Sequence, residues 1–365
     1  MSTYLELKGG NVKRVDSDPA NPEIGQVWYN DTINQIKVRT TALAAWASGG
    51  NLNEAKHALT GFGTQTAGLA AGGQTTANSE EYDGSSWTEG NNLSSTRFYA
   101  GGAGTQTAAL IFGSYPNAVT TEEYGGTSWT SGGNLNTGRA LLGGAGTQTA
   151  GLAFGGNSDP PITNASEEYN GSSWTEGNNL NTARQKVVGA GLQTAAVAFG
   201  GVTSTDLANT EEYNGTSWSN ANNMNTARKT ATGFGLQTAA IVAGGEVSGD
   251  AGITTVEAYD GTNWTAVNDM QRIYYANASC GTQTDGLVFG GSPGAGQSGS
   301  QQWDGTNWRT SASLGTGRWK LGSGTAATAS SALAFGGGPP PDGNNGTEEF
   351  TAESTALNLK TLTDS

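Results

Sequence analysis

Thr210-Glu211-Glu212-Tyr213-Asn214-Gly215-Thr216-Ser217-Trp218 is the stretch on which the fold turns. Variants of it end at Trp46, Trp87, Trp129, Trp174, Trp218, Trp264 and Trp308, with spacings of 41, 42, 45, 44, 46 and 44 residues. Self-similarity at a period of about 40–50 residues marks a repeat array of propeller-blade size. Outward from Trp218, one unit runs from Arg184 to Met224. Val187–Gly191 reads as a short strand of small residues and Ala195–Phe199 as an apolar second strand closed by Gly200-Gly201. After a polar loop, Thr210–Tyr213 and Ser217–Ser219 read as third and fourth strands. Four short strands punctuated by glycine in each period predict a propeller blade. Asp-Gly or Asn-Gly between Tyr and Trp, as at Asn214-Gly215, predicts a type I′ hairpin with both residues at positive φ.

Some positions keep strict register. Ten residues after each Trp stands a base, at Lys56, Arg97, Arg139, Arg184, Arg228 and Arg318, with Tyr274 the exception. Two residues before each blade aromatic stands Glu80, Glu122, Glu167, Glu211, Glu257 or Glu348, with Gln301 the exception. A base and an acid repeated at fixed spacing predict an ion pair or backbone hydrogen bonds at a blade junction; a ring of metal-binding carboxylates is the competing reading. The second acid (Glu81, Glu123, Glu168, Glu212, Glu349) points to the other face and is expected to be solvated. The seven Trp are expected to pack between blades rather than to stack on sugars.

Both ends of the array are incomplete. Thr41 stands where an aromatic should precede Trp46, and Thr355 stands where a Trp should follow Phe350. A strand around Trp46 would therefore complete the last blade and pair two open edges. Ala356–Thr361 is the competing candidate for that strand. The expected fold is all-β: a seven-bladed β-propeller of four-stranded blades, its ring closed by an N-terminal strand. It would occupy residues 41–350, between an N-terminal attachment segment at 1–40 and a C-terminal tail at 351–365. Residues 1–40 look too short for a core of their own and are expected to order on a partner.

Composition narrows the function. The formal net charge of −14 opposes nucleic-acid binding, which needs a basic footprint. No apolar run reaches the roughly 20 residues needed to cross a bilayer, and Met1–Gly10 shows no secretory signal. The single cysteine, Cys280, forbids an intrachain disulfide and reads as a small strand filler. The single histidine, His57, lies beside the repeated base; copper-radical chemistry would need two histidines and Ser-His-Asp chemistry would need this one. Acids are plentiful, but no pair stands out for glycoside hydrolysis. No catalytic residue, metal site or cofactor is expected.

The Gly-Gly after the second strand, the Tyr of the third and the Trp of the fourth resemble the kelch repeat from about Trp46 to Phe350. Phrases such as Gly-Gly-Asn-Leu-Asn-Thr-Gly-Arg (132–139) are similar to kelch-type proteins of marine tailed bacteriophages, notably cyanophages. Gly25–Asn30 followed by Ile36–Val38 resembles a small module of phage tail fibres. The resemblance implies a non-enzymatic virion protein, on the tail or particle surface, made in the host cytoplasm. Its implied partners are other virion proteins through the N-terminal segment, a host glycan or envelope protein, and further copies of itself. A depolymerase on the same scaffold and a purely structural decoration or adaptor protein are the alternatives.

Length varies only between the second and third strands, at 74–79, 114–121, 157–166, 202–210, 246–256, 292–300 and 338–347. These loops should share one face with the blade-to-blade connections. Ligand contacts are therefore expected at Tyr115, Asn117, Asp159, Thr205, Asp206, Glu246, Asp250 and Asp342. Trp319, Tyr274 and Tyr275 are further aromatics that the repeat does not require, and Trp303 replaces the usual Tyr.

Overall fold

The computed structural model describes residues 12–20, 23, 25–158, 161–294, 296–324, 327–338 and 343–362. Every regular element among them is a β-strand. The chain forms two compact units, Met1–Ala44 with Ala352–Ser365, and Ala45–Thr351.

In the smaller unit, Lys13–Val15 runs parallel to Val27–Asn30, which pairs antiparallel with Gln35–Ala42. The fourth strand is Ser354–Leu362, antiparallel to Gln35–Ala42. The C-terminal segment is thus not a separate tail, and the N-terminal segment gains from it the strand it lacks. Asp18 knits the sheet together. It accepts hydrogen bonds from Trp28 Nε1 at 3.0 Å and Asn30 Nδ2 at 2.9 Å, and its Oδ2 lies 2.6 Å from Lys37 Nζ. Led by the Lys37 bond, these donors lower its pKa to about 2. The expectation that 1–40 would order only on a partner is corrected accordingly: the chain's own C-terminus contributes a strand.

Among its described residues the larger unit holds seven four-stranded antiparallel sheets with the blade pattern of a propeller, and a short hairpin of Glu246–Val247 with Ala251–Gly252. In a typical sheet Val188–Leu192, Ala195–Phe199, Thr210–Tyr213 and Trp218–Ala221 lie side by side, with Phe199 opposite Thr210 and Tyr213 opposite Trp218. One sheet draws on both ends of the unit. Gly322–Ser323, Ser331–Phe335 and Thr347–Thr351 are completed by Ala45–Ser48, with Phe350 opposite Trp46. The N-terminal candidate fills this place, and Ala356–Thr361 lies in the other unit.

Apolar cores form between successive sheets. Leu152 and Phe154 of one sheet pack with Ala196, Ala198, Tyr213 and Trp218 of the next. The Trp218 ring lies 5.0 Å from Phe154 and 5.0 Å from Tyr213. First strands carry glycine because they crowd. A Cβ on Gly233 would stand 2.6 Å from Val188 Cγ1 and 2.8 Å from Phe199 Cζ of the preceding sheet.

The Tyr-to-Trp turn differs from the type I′ expectation. Only its glycine has positive φ, as in Gly215 at 85°. Four residues, not two, separate the paired Tyr213 and Trp218. The side chain of Asn214 accepts from the backbone N–H of Thr216 at 3.0 Å and of Ser217 at 2.9 Å. This is an Asx turn, in which the side chain substitutes for a backbone acceptor.

Candidate functional site

The repeated base and acid meet inside every junction that carries them. Lys56–Glu80 at 2.8 Å, Arg97–Glu122 at 2.6 Å, Arg139–Glu167 at 2.8 Å and Arg228–Glu257 at 2.6 Å are buried ion pairs, as are Arg184–Glu211 and Arg318–Glu348. Each base also braces the variable loop. Arg184 Nη1 donates to the carbonyls of Gly200 at 3.3 Å and Asn209 at 2.8 Å, one on each side of loop 202–210. The acid caps the incoming connection, with Glu211 accepting from Asn181 N at 2.6 Å and Thr182 N at 3.2 Å. Burial pulls the guanidinium pKa of Arg184 down, and the Glu211 charge opposes that pull. At the exceptional junction both charges vanish together: buried Tyr274 replaces the base and Gln301 the acid.

The second acid is not simply solvated. Tyr124 Oη donates to Glu81 at 2.6 Å, Tyr213 to Glu168 at 2.5 Å and Tyr259 to Glu212 at 2.9 Å. Tyr82 donates to Glu349 and Tyr169 to Glu123 in the same way. Each bond ties one sheet to the sheet before it. Burial, and then the carboxylate, raises the pKa of each of these phenols. The missing cases match across the junction. Ala258 replaces the acid before the sheet in which Trp303 replaces Tyr, and Gln302 does so before Phe350. That correlation was readable in the sequence.

Two further bonds repeat at the junctions. Except at Trp308, where Val256 replaces the hydroxyl, Trp Nε1 donates to a Ser or Thr hydroxyl of the preceding sheet, as Trp218 does to Ser166 at 2.9 Å. The Gln of the first turn donates to the carbonyl of the preceding Tyr, as Gln193 does to Tyr169 at 2.7 Å. The sheet completed by Ala45–Ser48 takes part on both sides. Trp46 Nε1 donates to Ser300 Oγ at 3.3 Å, while Gln65 and Trp87 donate to Phe350 O at 2.7 Å and Thr347 Oγ1 at 2.8 Å.

The structure disperses the predicted ligand residues along the loops. Tyr115 is 47% exposed and packs on Phe98, with ring centroids 5.4 Å apart. Asn117 is half-buried, with φ 95°. Thr205 is exposed, and its carbonyl accepts from Thr203 N at 3.0 Å. Asp206 and Asp250 both face Lys229, whose Nζ lies 3.6 Å and 2.6 Å from them. Glu246 accepts from Thr230 Oγ1 at 2.6 Å. Asp159 and Asp342 lie outside the described residues. Cys280 is a buried filler; burial raises its pKa to about 12. Among the described residues no group of three or more His, Cys, Asp or Glu side chains is placed to hold a metal ion.

A convergent site lies elsewhere. Twelve residues after each Trp, at Ala58, Tyr99, Leu141, Lys186, Thr230, Ala276 and Lys320, φ lies between 49° and 55°. Five backbone bonds link neighbours in this series, among them Lys186 N to Leu141 O at 2.8 Å and Ala58 N to Lys320 O at 3.0 Å. All seven line one cavity of about 600 Å³, together with Glu246, Tyr275 and Trp319. It opens at the loop end of the first strands, because each connection bridges a loop, as Gln185 does Val202 and Lys229 does Glu246. Of the predicted ligand residues that the structure describes, only Glu246 belongs to it.

These features define an all-β protein of propeller type with one variable loop face. No family model matches the sequence, and no curated protein matches it. The solved structure of YjhT is similar, with a TM-score of 0.59 and 13% identity over 74% of this chain and 99% of that one. At that identity the similarity concerns the fold alone.

Proposed function

We propose that the larger unit is a closed seven-bladed propeller and that the protein is a non-enzymatic virion surface or tail component that presents the loop face to the host. In this reading the smaller unit attaches it to other virion proteins. The carrying observation is the segregation of constant and variable residues. The repeated bases, acids, tyrosines, glutamines and tryptophans are engaged in bracing loops and connections and in holding sheets together. Loop length, loop charge and the side chains around the cavity vary between repeats on one face. A scaffold held constant while one face diversifies suits a binding surface. The kelch and cyanophage resemblance supports the same reading, as does the bonding of Thr347–Phe350 to both Trp46 and the Gln65–Trp87 sheet. Immunogold labelling of intact particles, paired with exchange of loops 114–121 and 202–210 for those of a related protein, tests the proposal. Labelling of the particle and a changed host preference are expected. Absence from particles, or sugar release from host polysaccharide by the purified protein, would overturn it.

A further inference from the structure

Resting on that reading, we infer that the cavity on the loop face binds an anionic sugar unit. The side chains around it are not dictated by the fold. Position for position they are Ala, Tyr, Leu, Lys, Thr, Ala and Lys, and none is glycine although all seven have φ near +50°. A non-glycine residue in this region costs about 1–2 kcal/mol, so a side chain is retained there against the backbone's preference. Two of the seven are lysines in a chain of net charge −14. Among the described residues neither ammonium forms an ion pair; Asp250, whose charge Lys186 also senses, is bonded to Lys229 at 2.6 Å. Lys320 Nζ is instead held 4.3 Å from the Trp319 ring centroid and 4.9 Å from that of Tyr99. An ammonium bracketed by two aromatic faces is positioned without being neutralised. The acid of the lining, Glu246, is turned to Thr230.

The cavity therefore offers two positive charges, aromatic edges and a single carboxylate, Glu246, in a space of about 600 Å³, room for one or two sugar rings. The lysine ammonium is a compact charge that accepts carboxylate, sulfate or phosphate alike. The bound unit would be a uronate, a sulfated sugar or a sugar phosphate at the exposed end of a surface polysaccharide. Weak single contacts would be multiplied by many copies on one particle.

The test is calorimetry with saturation-transfer NMR on the full chain, using trigalacturonate, its neutral methyl ester, galactose 6-sulfate and glucose 6-phosphate. At least one acidic probe should bind, and the arms identify which anion. The methyl ester should bind at least tenfold more weakly than trigalacturonate if that is the ligand, and added salt should weaken binding. Lys186→Gln and Lys320→Gln should each reduce affinity about tenfold, with Lys320→Arg retaining it; thermal melts establish that the variants fold. No binding by any acidic probe, equal binding of the neutral ester, or unchanged affinity in both glutamine variants would overturn the inference. If loop exchange still alters adsorption in those cases, this site fails while the attachment reading stands.

Discussion

Arg184 shows what a single junction residue does. Its guanidinium, buried from solvent, serves two loop carbonyls and Glu211 at once. Removing one partner of a buried pair strands the other charge and costs about 3–5 kcal/mol, whereas replacing both is far cheaper. Arg184→Ala should therefore lower unfolding free energy by about 3–5 kcal/mol, measured by urea denaturation. The molecule contains the neutral alternative at Tyr274 and Gln301. The double variant Arg184→Tyr with Glu211→Gln should recover most of the loss from Arg184→Tyr alone; additive losses would refute the coupling. The Asx turns give a pH signature. Asp83 is held at about 2, below its ordinary 3.8, first by the Ser86 N–H and then by Ser85. A depressed folded pKa stabilises above the unfolded value and is lost as pH falls through the folded one. Stability should therefore drop between about pH 4 and pH 2, and Asp83→Asn should remove part of that drop, since asparagine serves the same turn at Asn170 and Asn214.

Strands and turns were legible in the sequence to different depths. The four strands of each unit follow from alternation and glycine punctuation, and the base–acid register from constant spacing. The hairpin type was misread from the Asn-Gly dipeptide alone; counting residues from Tyr213 to Trp218 would have shown a four-residue turn. Alternation within one sheet places the second acid away from its own core, which in sequence reads as solvation. Its partner belongs to the next sheet, 45 residues on in the case of Glu168 and Tyr213. The cavity was invisible because convergence of seven connections is a property of their arrangement, not of any one unit. Tyr169→Phe tests the sheet-to-sheet bond. It leaves Glu123 without its phenol donor and should cost about 1–3 kcal/mol. Adding Glu123→Ala, which removes the stranded carboxylate, should restore a substantial part of that. Full stability in Tyr169→Phe alone would show that the bond contributes nothing.

For the larger unit as a whole, stability is a sum of sheets and junctions, and the weakest point of such an array is where the chain ends meet. Ala45–Ser48 is four residues long, yet it pairs with Thr347–Thr351, sets Trp46 against Phe289 and Phe350, and bonds to Ser300. Without it, Thr347–Thr351 becomes an open edge strand, and such edges invite pairing with other chains. Two variants separate the packing from the pairing. Trp46→Ala keeps the backbone ladder and removes the ring; deletion of a buried Trp costs about 3–5 kcal/mol, and the half-buried Trp46 should fall at or below the lower end of that range. Removal of residues 1–53 deletes the ladder as well, so the loss should be much larger, with concentration-dependent association on gel filtration. A truncated chain that stays monomeric and melts within a few degrees of the full protein would show that the larger unit does not depend on this strand.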